Sequence, residues 1–344
     1  MAVTTFQKLA QRVREHALVH GLQEVSVSFH GGEPLLVGAT LLDRYASIMR
    51  EVAGQDFGVS FNIQTNATLI DDPLIEVLRR QQFNVGVSID GWQAANDRSR
   101  VDHRGRSSYE ATVRGIQSLQ SEIPGQPDGL LAVVDLHNDP LEVFDALAGL
   151  GVQRLDFLLP HHHWERPPIR LRGDSAEYGA WYLRLFDAWL DGRHPGVDIR
   201  FLRNIVQQLV GAPGDFENMN LAPATLVTIT TDGEIEGVDC LKATASGLQI
   251  TGLNIRTTNF DEVLPVRLLA LRQSGVDQLC TTCQVCKYSR VCAGGYFPHR
   301  FSQKNEFMNP SVYCADLYWL ISQIEDRIRA RTRQNVGVSG RPCQ

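Results

Sequence analysis

Apolar residues recur at helical spacing from residue 4 to 19, where Phe6, Leu9, Val13, Ala17 and Leu18 share one face and predict an amphipathic opening helix. The period then drops to two. Glu24-Val25-Ser26-Val27-Ser28-Phe29 reads as a short strand running into His30-Gly31-Gly32-Glu33-Pro34. Residues 40–53 read as helix, and 58–64 as a strand ending at Thr65-Asn66. Asp71 and Asp72 stand where a carboxylate would cap the free amides of a further helix. Residues 84–89 form a strand ending at Asp90-Gly91, followed by helix 107–121, strand 129–135, helix 140–150 and strand 153–159. Helix and strand thus alternate from residue 4 to 159, which implies parallel strands joined by helical crossovers. Ten elements in that order suit an open or partial barrel better than a two-layer sandwich. The series starts on a helix, so such a barrel lacks its first strand and carries an unpaired edge, which proteins normally avoid.

Residues 161–222 are less regular, with helices near 175–191 and 201–210 joined by the turn-rich segment 191–196. Trp181, Phe186 and Trp189 on the first of these read as core-facing aromatics. Two strand-like runs, 225–229 and 234–238, flank Asp232-Gly233, a strong hairpin signal. A cysteine cluster follows, then a helix over 315–331 and a polar, frayed tail over 333–344. The linear division is 1–160, an α/β barrel part; 161–222, a helical connector; 223–332, a cysteine-bearing module; and 333–344, the tail.

Composition narrows the class. A chain of 344 residues, 43% hydrophobic and 21% charged, is ordinary for a soluble enzyme of one large or two smaller domains. The net charge of -6 argues against a broad nucleic-acid footprint. No apolar run approaches bilayer length, and residues 1–21 lack the apolar core and cleavage site of a signal peptide, so no membrane partner and a cytoplasmic location are expected. The seven cysteines are uneven: Cys280, Cys283, Cys286 and Cys292 crowd together, with Cys240, Cys314 and Cys343 outside. An odd, clustered set points to thiolate ligation of metal rather than a disulfide framework.

Candidate chemistry gathers at the strand ends. Gly31-Gly32-Glu33-Pro34 follows a strand directly; paired glycines let backbone approach a ligand, and Glu33 could accept from an ammonium group. Thr65-Asn66 and Ser88-Ile89-Asp90-Gly91 end the next two strands. In a barrel of parallel strands such ends converge on one face, where sites are built. Singly, each motif is more often a tight turn or a helix cap; together, in this order, they make a coherent pocket.

FHGGEPLL, IQTNATLI, VSIDG and the following Asn96-Asp97-Arg98-Ser99-Arg100 resemble, in that order, radical S-adenosylmethionine (radical SAM) enzymes of the SPASM class, and the resemblance covers nearly the whole chain. It implies a partial (β/α)6 radical SAM barrel, here without its first strand, and a C-terminal SPASM iron–sulfur module. It also implies that Gly31, Gly32, Glu33 and Pro34 hold the amino group of S-adenosylmethionine, that Ser88 and Arg100 contact its carboxylate, and that Thr65, Asn66 and Asp90 complete the site. LLAVVDLHNDP, LDFLLPHHHWERPP, ATLVTITTDGEIEGVD and NPSVYCADL carry a narrower resemblance to FxsB-type maturases. The activity so implied is radical crosslinking of a ribosomally made precursor peptide, with electrons from a donor such as flavodoxin or ferredoxin.

The spacing of Cys283, Cys286 and Cys292, with Cys314 downstream, offers four thiolates, enough for a [4Fe–4S] cluster or for tetrahedral zinc; spacing alone does not separate them. The SPASM resemblance favours one auxiliary [4Fe–4S] cluster on these four. For a second cluster, Cys240 stands at the first ligand position, but Thr257 and Tyr296 stand where cysteines are expected. Cys280 could replace one of them, or Cys240 and Cys280 are ordinary thiols. Cys343 is read as unrelated.

No CxxxCxxC, the family's hallmark for the SAM-binding cluster, occurs in the sequence. Its absence coincides with that of the first strand, so the expectation is that both belong before Met1 and that the chain as given is inactive. The alternative is a non-catalytic peptide-binding protein with a structural metal site. His161-His162-His163 is expected to be a polar loop contacting peptide rather than a metal site, because consecutive loop side chains diverge. Asp239 could serve as the base that formylglycine-forming relatives need, though a solvated aspartate after a hairpin is the commoner case.

Overall fold

A computed structural model describes residues 1–214, 219, 221–237 and 239–338, with only the backbone of 239, 240 and 334–338. In chain order it contains α1 (Val3–His20), β1 (Glu24–Phe29), α2 (Ala39–Ala53), β2 (Gly58–Thr65), α3 (Asp72–Arg80), β3 (Phe83–Ser88), α4 (Gln93–Asn96), α5 (Tyr109–Glu122), β4 (Gly129–Val133), α6 (Pro140–Ala148) and β5 (Arg154–Leu158). There follow α7 (Glu177–Leu190), β6 (Asp198–Ile199), α8 (Arg200–Leu209), β7 (Thr228–Ile229), β8 (Glu234–Glu236), β9 (Ile250–Asn254), α9 (Arg267–Leu271), α10 (Thr281–Gln284), α11 (Ser289–Cys292) and α12 (Cys314–Val338). These residues fall into two compact units, each discontinuous in sequence: Met1–Val133 with Asp145–Leu158 and Ala224–Gln273, and Val134–Phe144 with Leu159–Pro223 and the chain from Ser274.

In the first unit β1 to β5 lie side by side in chain order, all parallel, as the alternating pattern predicts. The register sets Val27 against Phe61, Ile63 against Val85, Val87 against Leu130 and Ala132 against Phe157. Because side chains alternate along a strand, this aligns one face that is apolar as far as Thr65 at the end of β2. Phe61, Ile63, Phe83, Val85, Val87, Leu130 and Phe157 are buried on it. Phe61 and Phe83 stack at 5.2 Å, while Phe6 of α1 stacks on Tyr45 of α2 at 4.4 Å. Each fully buried aromatic of this kind is worth roughly 2–3 kcal/mol of transfer free energy. The opposite face is polar across β1 to β3. Asn62 Nδ2 donates to Ser26 Oγ (2.8 Å), Asn84 Nδ2 to Asn62 Oδ1 (3.1 Å) and Gln64 Nε2 to Ser88 Oγ (2.9 Å). A Cβ on Gly86 would meet Gln64 Oε1 at 2.2 Å, so the Gln64 side chain would have to move away from Ser88 to admit one. Among the described residues no strand pairs with the outer edge of β1.

The same unit carries a three-stranded antiparallel sheet, β7-β8-β9. The predicted hairpin is there but shorter, turning at Asp232-Gly233 with Gly233 at φ 92°. β9 adds a strand that the sequence reading left out. Ile235, Ile255, Val263 and Leu269 form the core of this sheet, and Leu9 of α1 packs against them.

The second unit is mainly helical. Tyr182, Leu185 and Phe186 of α7 and Leu317, Leu320, Ile321 and Ile324 of α12 are buried, and the two helices pack together. Trp181 and Phe186 are buried as expected, whereas Trp189 is half-buried and donates its indole N–H to Val197 O (2.8 Å). The helices approach closely at Gly179, whose amide donates to Asp316 Oδ1 (3.1 Å). Asp316 in turn receives both arms of Arg170 at 3.2 and 2.6 Å. α12 continues to Val338, so residues 333–338 are helix and not frayed tail; the rest of the tail, with Cys343, lies outside the described residues. Among the described residues no helix is long and apolar enough to cross a membrane.

Candidate functional site

The C-terminal ends of β1 to β4 are tied into one rim by two carboxylates. Glu33, just past β1, accepts at Oε1 from Leu35 N (3.0 Å) and Thr65 Oγ1 (2.7 Å), and at Oε2 from Asn66 N (2.9 Å). One side chain thus fixes the end of β2. The turn beyond is fixed again: Thr65 Oγ1 accepts from Ala67 N, Asn66 Oδ1 from Thr68 N, and Asn66 O from Thr112 Oγ1 of α5. Ala67 sits at φ 58°, and α5 comes so near that a Cβ on Gly115 would lie 2.1 Å from Ala67 O.

Asp90, buried past β3, is the second tie. Its Oδ2 accepts from Arg100 Nε (2.6 Å) and Ser99 Oγ (3.2 Å), and its Oδ1 from Arg100 Nη2 (3.1 Å) and Val133 N at the end of β4 (2.9 Å). The Asp90 amide donates to Oδ1 of buried Asn96 (3.3 Å). Sequence reasoning singled out Gly31, Gly32, Glu33, Pro34, Thr65, Asn66, Ser88, Asp90 and Arg100. The structure brings Glu33, Thr65 and Asn66 into one hydrogen-bonded group and Asp90 and Arg100 into another; Ser88 Oγ bonds Gln64 on the polar sheet face. Sequence reasoning named Asn96 only within a motif and did not see the Val133 amide, whose role depends on the pairing of β3 with β4.

The electrostatics of the rim follow from these bonds. A carboxylate has about four acceptor positions. Three of Glu33's are taken, leaving about one for a ligand, and Arg100 is already neutralised by its fork onto Asp90. Both residues therefore hold the rim in shape before anything binds. The free surface is backbone: Gly31, at φ 130°, and Gly32 are exposed, and a Cβ on either would find nothing within 4 Å. That is a cradle a side chain would fill and a ligand's ammonium or carboxylate could enter.

The second unit gathers five thiols: Cys280, Cys283, Cys286, Cys292 and Cys314. Loss of water and the Cys280 contact push the Cys283 thiol up to about 12; loss of water and the neighbouring Cys314 push Cys292 up to about 12. Cys314 is raised by burial, with Cys286 and Cys280 adding to it. Close, buried thiols of this kind ionise together only with a cation among them. Ala293, Gly294 and Gly295 all have positive φ, and Arg300 donates to their three carbonyls at 2.6–3.2 Å. This turns the Gly294 amide toward Cys292, while Tyr288 N donates to Cys286 Sγ (3.4 Å). A Cβ on Gly294 would lie 2.9 Å from Arg300 Cζ. Among the described residues no three of the thiols fall within 4.8 Å of one another. The S···S edge of tetrahedral zinc is shorter, roughly 3.8 Å from 2.3 Å bonds. The donor set and its amide bonds fit an iron–sulfur cluster. Cys240 lies in the helical turn Asp239–Ala243, but its side chain, like that of Asp239, is outside the described set.

The three consecutive histidines diverge. His161 faces Tyr296 (5.6 Å), His162 Nδ1 contacts Arg166 O (3.1 Å) and His163 packs edge-on against Phe301 (5.5 Å).

No family model matches the chain. It is 27% identical over 343 residues to the serine-type anaerobic sulfatase-maturating enzyme of Klebsiella aerogenes, covering 96% of this chain and 80% of that protein. It is 22% identical over 315 residues to the cysteine-type enzyme of Clostridium perfringens (strain 13 / Type A), covering 90% and 82%. Its fold matches native anSMEcpe with bound AdoMet at a TM-score of 0.82 and 20% identity, covering 97% of this chain and 90% of that one. Streptococcus suis SuiB bound to precursor peptide SuiA matches at 0.59 and 14% identity, covering 91% and 69%. In sequence over nearly its whole length, and in fold, the chain resembles the anaerobic sulfatase-maturating enzymes.

Proposed function

We propose that the chain is a radical SAM peptide maturase whose strand-end rim holds S-adenosylmethionine and whose C-terminal thiols hold one auxiliary [4Fe–4S] cluster. The observation that carries this reading is the rim: four strand ends tied by Glu33 and Asp90 around the open backbone of Gly31-Gly32. The backbone of Gly31 to Pro34 takes the amino-acid end of the ligand, with Ser88 beside it. Glu33, Thr65, Asn66, Asp90 and Arg100 keep those contacts in register. Cys283, Cys286, Cys292 and Cys314 take the auxiliary cluster, with Cys280 a fifth thiol in reach. When bound, that cluster would supply one-electron chemistry.

The substrate class is a ribosomally made precursor peptide, supported by SuiB, which is solved with precursor peptide SuiA, and by the sulfatase-maturating relatives. The motifs of the narrower resemblance favour an FxsB-type crosslink as the modification, with a flavodoxin or ferredoxin as electron source. The SAM-binding cluster itself has no ligand set here, because none of the seven cysteines forms CxxxCxxC. The 344-residue chain alone is therefore expected to bind S-adenosylmethionine without cleaving it. That same lack keeps a second reading in play, a peptide-binding protein with a structural metal site.

Anaerobic reconstitution with iron and sulfide, followed by metal analysis and equilibrium dialysis with S-adenosylmethionine, tests the proposal. About four irons per chain and saturable SAM binding without 5′-deoxyadenosine are the expected result. Roughly one zinc, no iron and no SAM binding would overturn it in favour of the second reading.

A further inference from the structure

We propose that His16, His20 and Asp261 form a site for a divalent transition-metal ion of the zinc–nickel class, built from none of the residues of the rim or the thiols. His16 and His20 are four residues apart on α1 and so share one helix face, the spacing at which a helix offers two imidazoles to one ion. Their rings lie 4.4 Å apart. His16 Nδ1 is 2.9 Å and His20 Nε2 is 2.7 Å from the same atom, Asp261 Oδ1, and the three ligand atoms lie within 4.8 Å of one another.

Those distances approach the edges of a coordination polyhedron. With metal–ligand bonds of about 2.1 Å, neighbouring ligands stand roughly 3.0 Å apart in an octahedral site and roughly 3.4 Å in a tetrahedral one. A small relaxation would open the triangle around an ion. Two imidazoles and a carboxylate suit borderline cations, which lack the thiolate preference of softer ones. The bare alternative is two ring N–H groups sharing one acceptor, which already draws Asp261 below the usual carboxylate range.

The surroundings favour a cation. The imidazoles occupy the last turns of α1, the end at which a helix carries partial negative charge. Arg12, one turn earlier on that face, has its charge paired with Glu15 at 2.7 Å and its Nε on Ile255 O at 2.9 Å. Asp261 opens the helical turn Asp261–Val263, beyond β9, and Phe260 sits edge-on to His16 at 6.1 Å. The backbone is thus already positioned by packing, with Leu9 of α1 set in the core of the small sheet. His20 and Asp261 are exposed, which leaves the outer coordination positions to water and gives the ion a path in. An ion there would clip α1 to a segment more than 240 residues away along the chain.

Calorimetric titration with Ni2+ of the wild-type chain and of His20→Ala and Asp261→Asn, under identical conditions, tests the site. Both side chains are exposed, so the fold survives, as far-UV circular dichroism would verify. The thiols are common to all three proteins, so any nickel they bind cancels in the comparison, whatever the fate of the iron–sulfur assignment. The expected result is one equivalent bound by wild type that each variant binds at least about a hundredfold more weakly, at or beyond the upper end of a typical outer-sphere loss, with a nickel-dependent rise in Tm confined to wild type. Superimposable isotherms and melting curves for the three folded proteins would overturn it.

Discussion

At the residue scale, the rim separates groups that keep shape from groups that meet a ligand. Gly32 is exposed, needs no left-handed backbone, and has empty space where a Cβ would stand. Gly32→Val should therefore leave stability within about 0.5 kcal/mol, as for an ordinary surface change, yet fill the cradle. Equilibrium dialysis should show S-adenosylmethionine affinity reduced at least tenfold, about 1.4 kcal/mol; unchanged affinity would mean that the ligand does not pass over Gly32. Glu33→Ala should behave in the opposite way. It removes three bonds to a carboxylate, and a thermal melt should lose about 2 kcal/mol even without ligand. The placement of Gly31-Gly32-Glu33-Pro34 just past a strand end was legible from the sequence. The direction of Glu33 was not, because its partners are set by the register of β2 against β1.

Elements were legible where the apolar period ran over several residues. α1, α2, α3, α5, α7 and the five parallel strands fall within a few residues of the pattern that predicts them. β6 has two residues and so no period, α4 is a single turn, and β9 carries Gly252 at its centre, which weakens the strand signal. Asp71 caps α3 as expected, accepting from Leu74 N at 2.9 Å. Asp71→Ala should cost about 1 kcal/mol by chemical denaturation. Gly115 sets two effects against each other. Alanine within α5 gains about 1 kcal/mol of helix propensity. A Cβ there also meets Ala67 O at 2.1 Å, and backbone on both sides leaves no flexible atom to yield. Overpacking costs about 1–3 kcal/mol and should win. Gly115→Ala should lower stability and, by moving the Thr65-Asn66 turn, weaken S-adenosylmethionine binding as well; a stabilised variant with intact binding would refute the tie between α5 and the rim.

At the scale of the whole molecule, stability and metal loading both turn on protons, and the two limbs have opposite sign. Burial, then the charges of His161 and His162, push His299 down to about 3. A histidine so depressed contributes stability that is present above its unfolded value near 6.5 and is lost as pH falls toward 3, at up to about 1.4 kcal/mol per pH unit. Denaturation at pH 7.5 and 5 should show this loss in wild type and its reduction in His299→Phe. At the alkaline end, Cys283 and Cys292 are pushed up to about 12. Their raised values stabilise the metal-free fold below the unfolded thiol pKa, and that contribution fades as pH climbs from about 9 toward 12. The same protons must leave when metal enters, since only thiolates ligate. Four cysteines taking up a cluster assembled from iron and sulfide at pH 7.5 should therefore release about four thiol protons, over and above those that hydrosulfide gives up as it becomes bridging sulfide, read with an indicator dye in weakly buffered anaerobic solution. Cys280→Ser decides whether the fifth thiol is a ligand. If Cys283, Cys286, Cys292 and Cys314 are the complete set, the variant loads the same iron and releases the same protons as wild type; a fall in both would move Cys280 into the coordination sphere.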